Sequence, residues 1–135
     1  MGKKLILGTL AGTIVGMVFS MAIFMGLMGD MADQWMKDNE GCLKEMSMVW
    51  WVIGSVVISL FVTILQIKFG TITFKGGAIA GTWITFFVVL WYAIMSVSTY
   101  TAYPLEWMPV DVLVSTLTGT VAGGAIGWVL GRVKE

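Results

Sequence analysis

Methionine is the residue type with the most chemical potential in this chain, at 11 of 135 residues. Met17, Met21 and Met25 recur every fourth residue, and Met28 extends the same helical face. Thioether sulfur is a soft ligand suited to Cu(I), so such a row could hold or pass that ion. Methionine is also an adaptable apolar filler, which is the plainer reading of the row. Further methionines (Met31, Met36, Met46, Met48 and Met108) fall toward one end of the apolar stretches described below. The acids Asp30, Asp33, Glu106 and Asp111 lie toward that same end and could form a cation site if their loops converge. Solvated acids that set membrane topology are the favoured reading of them, and Asp111 can equally act as a helix N-cap. Ser55, Ser59, Thr63 and Gln66 share roughly one helical face. That stripe either lines a narrow polar path or bonds to a neighbouring helix, and packing is the favoured reading.

Several kinds of chemistry are excluded by what the sequence lacks. It has no histidine, hence no imidazole base, proton shuttle or metal ligand. Cys42 is the single cysteine, so no intrachain disulfide can form. No apolar stretch holds a Ser–His arrangement, an aspartate pair or a cysteine pair, so a non-enzymatic protein without a cofactor is expected. Lys+Arg and Asp+Glu balance at 8 each, which offers nucleic acid no basic surface. Proton-coupled multidrug transport needs a membrane-embedded carboxylate, and none of the apolar stretches contains one.

The elements that would position these residues follow from the distribution of charge. Hydrophobic residues make up 58% of the chain and charged residues 12%, with a mean hydropathy of +0.90. Soluble domains carry about 25% charge. A membrane-crossing helix needs about 20 apolar residues, and charge-free intervals supply four. The predicted spans are 5–29, 46–67, 76–100 and 112–131, with Pro104 and the aromatic residues before it ending the third near Tyr100. Barrel strands would be about half as long and alternate in polarity. The expectation is therefore an all-α polytopic membrane protein, a single four-helix domain over 1–135. The first span has the basic start and small-x-small site (Ser20 to Ala22) of a signal peptide, but its apolar run continues to Gly29, so it reads as a retained helix.

Both ends and the 68–75 connection carry six Lys or Arg against one acid, whereas 30–45 and 106–111 carry two against seven. The bias predicts cytoplasmic termini in an inner-membrane protein, with the acidic segments outside. The outer 30–45 segment predicts a short helix from Asp30, with Met31, Trp35 and Met36 on one side and a stop at Asn39-Glu40-Gly41. It would lie on the membrane surface with Trp35 at the headgroup level. Trp50, Trp51, Tyr100, Tyr103 and Trp107 read as belt anchors. The short 68–75 connection predicts that the second and third spans are antiparallel neighbours.

Glycine recurs every fourth residue at Gly8, Gly12 and Gly16, at Gly77 and Gly81, and at Gly119, Gly123, Gly127 and Gly131. Such rows let helix backbones approach closely in lipid. The stretch Thr9–Gly16 also aligns with Thr116–Gly123 at five of eight positions. Two glycine-packed helices converging on similar letters explain that better than an inverted repeat. The row centred on Gly12 is the expected partner of the row centred on Gly123.

The methionine spacing Met17-x-x-x-Met21 beside glycine rows resembles one element of the high-affinity copper transporters. Four spans and no Met-rich tail depart from that pattern. The whole layout resembles a family of uncharacterised bacterial four-helix membrane proteins. The shared features are the apolar first helix, Trp35-Met36-Lys37, Gly76-Gly77, Tyr103-Pro104-Leu105-Glu106-Trp107 and Gly123-Gly124-Ala125-Ile126-Gly127. That resemblance implies a fold and no activity. The expected role is a small accessory subunit or self-assembling module that docks through glycine faces. Its partners would be membrane lipids, further copies of itself or a larger membrane complex. The alternatives are a transporter or channel for an ion or small solute, with Cu(I) the sharpest version, and a lipid- or quinone-binding accessory protein.

Overall fold

A computed structural model describes residues 2–41, 47–100 and 103–133. Among these residues the chain is all-α, with five helices: α1 (Gly2–Leu27), α2 (Gly29–Asp38), α3 (Met48–Lys68), α4 (Phe74–Thr99) and α5 (Trp107–Arg132). Four of them, α1, α3, α4 and α5, are long and apolar enough to cross a membrane, and the protein is a polytopic membrane protein. The short α2 sits between the first two spans. Cys42 lies outside the described residues.

Charge marks the span boundaries less sharply than expected, because helix geometry continues past the last apolar residue. Lys3 and Lys4 fall inside α1, and Lys75 inside α4. The largest shift is at α5, which begins at Trp107 rather than at Val112. Pro109 fits there because the first helical turn leaves its backbone N–H groups unpaired in any case. Asp111 is therefore not the N-cap of α5 but a residue inside it. At the other boundaries local chemistry is explicit. The Thr73 hydroxyl accepts the Gly76 N–H at 3.1 Å and caps α4. At the end of α3, Gly70 N–H donates to Ile67 O and Thr71 N–H donates to Gln66 O, the paired bonds of a Schellman ending. Gly70 takes φ +67 there, a left-handed conformation that costs a side chain roughly 1–2 kcal/mol.

The long helices pack in the order α4, α5, α1, α3, with α5 touching the other three. Although joined by a tight turn, α3 and α4 have little contact with each other, contrary to the expectation from their short connection. The reason lies in the glycine rows. Gly119, Gly123, Gly127 and Gly131 face α4 and the turn before it, not α1. A Cβ on Gly123 would stand 2.8 Å from Gly81 Cα, and a Cβ on Gly127 2.9 Å from Gly77 Cα. The Thr82 and Thr120 hydroxyls share a 2.7 Å hydrogen bond across the same seam. The α1 row does face α5, but side chains fill it: Ile126 lies over Gly12, and Leu130 with Thr63 of α3 over Gly8. Small residues on one helix thus accept branched residues of the next.

Gln66 ties the remaining helix to this seam. It is fully buried on α3, and its Nε2 donates to Gly77 O of α4 at 3.2 Å and to Gly123 O of α5 at 3.1 Å. Thr63, also fully buried, donates to Ser59 O within α3. The end of the bundle that holds both termini is therefore closed by Gln66, Thr63, Ile126 and Leu130, with Val62 completing the core.

Substituting Gly123 by Ala inserts a methyl group where the α4 backbone already stands. Overpacking of this kind costs about 1–3 kcal/mol. Gly123→Ala is expected to lower the melting temperature of the detergent-solubilised protein. Gly54→Ala should not, since nothing lies within 4 Å of its Cβ position. Thermal melts followed by size-exclusion chromatography compare the two, and equal stabilities would remove the glycine contact as a determinant of the fold.

Candidate functional site

The packing loosens along α1 toward the α2 end of the bundle. A Cβ on Gly12 would lie 2.6 Å from Ile126, but one on Gly16 would lie 3.6 Å from Ala122. One turn further on, Ser20 and Met21 face open space rather than a helix. There α1, α2, α3, α5 and the segment before α5 line a half-open chamber of about 640 Å³. Its wall is methionine (Met21, Met25, Met28, Met48), aromatic (Phe24, Trp35, Trp51, Tyr103, Trp107) and hydroxyl-bearing (Ser20, Ser115, Thr118), with Asp111 its one carboxylate among the described residues. Ligand sites typically span about 300–1,000 Å³, apolar with a few placed polar groups, and this chamber matches that pattern. A smaller cavity of about 160 Å³ lies deeper, between α1, α3 and α5. It shares Ser20 and Thr118 with the chamber and reaches Ser55, Ser59 and Gly123.

Asp111 reaches the chamber because α5 starts one turn early. Tyr103 Oη donates to its Oδ2 at 2.9 Å, and Ser115 Oγ donates to Oδ1 at 3.3 Å. Burial, then the hydrogen bond to Asp111 and the charge beside it, push the Tyr103 phenol well above its ordinary range. The sequence reading found no carboxylate in any span. The structure overturns this, because α5 contains Asp111 and carries it into the chamber wall, and the ground given for excluding proton-coupled transport falls with it.

The sequence-predicted residues separate in space. Of the methionine row, Met21, Met25 and Met28 line the chamber, whereas Met17 lines the deeper cavity. Exposure rises from 41% at Met21 to 75% at Met25 and falls to 5% at Met28, so the row does not keep to one buried face. The outer acids do not gather. Asp30, Asp33 and Glu106 are exposed and only Asp111 enters the chamber; among the described residues no three His, Cys, Asp or Glu side chains meet. The polar stripe of α3 divides by depth: Ser55 and Ser59 line the deeper cavity, whereas Thr63 and Gln66 serve packing. The glycine residues lie in helix contacts, not in a solvent-facing groove, apart from Gly16 and the α5 pair Gly119 and Gly123, which also border the deeper cavity.

The short helix runs where the sequence places it, with Gly41 at φ +94 after its end. Its inward side differs from the expected one. Met28, Ala32 and Trp35 turn toward the bundle, and Met31 and Met36 are exposed. Trp35 packs against Trp107 with ring centroids 5.7 Å apart and forms part of the chamber wall. Trp51 likewise lines the chamber, while Trp50, at 73% exposed, keeps the outward position expected of an anchor. The signal that separates the two is spacing: Trp51 and Ser55 are four apart, on the side of α3 that continues to Ser59.

No family model, curated protein or solved structure matches the chain. The reading of the site therefore rests on its own geometry.

The raised phenol pKa keeps Tyr103 protonated beyond the pH at which an ordinary phenol ionises. Its bond to Asp111 is fully present below the ordinary phenol value of about 10 and fades only as pH climbs through the raised value. Tyrosinate absorbance titrated in the folded protein should show one phenol resisting ionisation beyond that value, and Tyr103→Phe should remove that late component. Loss of amplitude near the ordinary value in Tyr103→Phe, with no late component in the unaltered protein, would show the phenol to be exposed and unbonded.

Proposed function

We propose that this protein is a non-enzymatic small-molecule-binding membrane protein whose ligand, a molecule with an apolar body, occupies the chamber at the α2 end. The observation that carries this reading is the chamber itself, a Met- and Trp-lined space with one hydrogen-bonded carboxylate in its wall. It develops the lipid- or quinone-binding alternative, with Asp111 as a polar group marking the pocket. Docking to other proteins through glycine faces is less well supported, because those faces are occupied by helices of the same chain. The Cu(I) reading is less well supported: Met21, Met25, Met28 and Met48 share the chamber wall, but Met17 lies apart and Met25 and Met48 are largely exposed.

Saturable binding of the uncharged dye N-phenyl-1-naphthylamine to protein in nanodiscs tests the chamber, with empty nanodiscs subtracted. Val114 lines the wall, and Val114→Trp should fill much of the space and weaken binding at least about tenfold, a loss of roughly 1.4 kcal/mol. Unchanged binding by a monodisperse Val114→Trp protein would place the dye elsewhere.

The charge bias supports an inner-membrane protein with both termini in the cytoplasm and the chamber at the outer face. A membrane-impermeant maleimide should then label Cys42 in intact spheroplasts. Labelling only after permeabilisation would reverse the orientation and put the chamber on the cytoplasmic side.

A further inference from the structure

We infer that the chamber selects an organic monocation: a quaternary ammonium, phosphonium or protonated amine carried on a bulky apolar body. The inference rests on the binding role proposed above and specifies its ligand class.

The first ground is charge. Asp111 is half-buried in the chamber wall, and its two hydrogen-bond partners, Tyr103 and Ser115, are both neutral donors. They orient the carboxylate without neutralising it. No lysine or arginine lies among the described residues of the wall. A charge held in such surroundings gains most from a ligand that brings the opposite sign, because the low-dielectric wall screens the attraction far less than water does.

The second ground is the wall itself. Trp35 and Trp107 meet at 5.7 Å between centroids with their planes inclined by 39°, forming an aromatic corner. Trp51 and Tyr103 contribute further rings. Aromatic faces attract cations, and quaternary ammonium groups are recognised by cages of such rings. The thioethers of Met21 and Met28 add polarizable surface suited to alkyl or aryl substituents. A small hydrated metal ion would find a single carboxylate among the described wall residues, whereas a large, weakly hydrated cation gives up little solvation on entering.

The third ground separates two sources of the same cationic group. A phosphatidylcholine headgroup carries a phosphate beside its ammonium, and the described wall offers that phosphate no basic partner. The chamber therefore fits a free cation better than a zwitterionic lipid headgroup.

Tetraphenylphosphonium and tetraphenylborate test this directly, since they share shape and differ in the sign of charge. Each is titrated by tryptophan quenching and equilibrium dialysis into the full chain in maltoside micelles, with empty micelles subtracted. The expected result is saturable binding of the phosphonium at least about tenfold tighter than the borate, undiminished by added phosphatidylcholine. Asp111→Asn should remove that preference while N-phenyl-1-naphthylamine still binds, which shows that the chamber is intact. Asp33→Asn, on the exposed side of α2, should change nothing. Equal binding of the two ions by the unaltered protein would overturn the charge selectivity while leaving the chamber reading in place. Displacement of the phosphonium by phosphatidylcholine would overturn the free-cation assignment. Failure of the dye and both ions to bind would overturn the binding role itself.

Discussion

The close approach of α4 to α5 is the constraint on which the rest of the structure depends. In lipid, burying apolar side chains against each other gains little, since the tails outside are equally apolar. Helices hold together there through dispersion between closely spaced backbones and through polar bonds that have no water to compete with. Gly77 and Gly81 against Gly123 and Gly127 provide the first. The second depends on the same contact. Only because the two backbones nearly touch do Gly77 O and Gly123 O come within reach of a single amide, that of Gln66. Interhelical bonds in membranes contribute about 0.6 to 2 kcal/mol each, and here two of them connect three helices through one side chain.

That closure at one end generates the opening at the other. Rows spaced by four residues drift about 40° per step around a helix, so a contact seam holds for three or four turns and then rotates away. On α1 the row passes from Gly8 and Gly12, under branched side chains, to the looser Gly16 and then to Ser20. Beyond it the helices carry methionine and aromatic residues, too large for backbone contact, and the space between them becomes the chamber. The two cavities therefore lie on the far side of the sealed end, and the helix surface not committed to packing is the surface left to bind.

Much of this was legible in the sequence. The four spans, the short helix and its glycine stop follow from charge-free length and turn chemistry, because lipid imposes its thickness on every crossing helix. The glycine spacing marks close packing, but the sequence does not say which helix each row meets. Gly123 meets Gly81 rather than Gly12, and on α1 the groove at Gly12 is filled by Ile126 of the same α5. Asp111 was misjudged for a related reason. Treating every charge as a boundary presumes that helices stop where polarity begins, but α5 starts at Trp107 and carries the carboxylate inward with a tyrosine hydroxyl to receive it. Trp35 and Trp51 are ambiguous as letters. Whether a tryptophan faces lipid headgroups or an internal space depends on which neighbour its helix finds.

The central position of α5 also has a consequence for biogenesis. It is the last of the five helices to leave the ribosome, yet it is the one that α1, α3 and α4 all touch. Until it has been threaded into the bilayer, the glycine face of α4 has no partner and Gln66 lacks one of its two carbonyls. The nascent chain thus passes through an interval in which most of its hydrophobic mass is inserted but its architecture is not. The α4–α5 seam and the second bond of Gln66 can therefore form only once α5 has entered the bilayer.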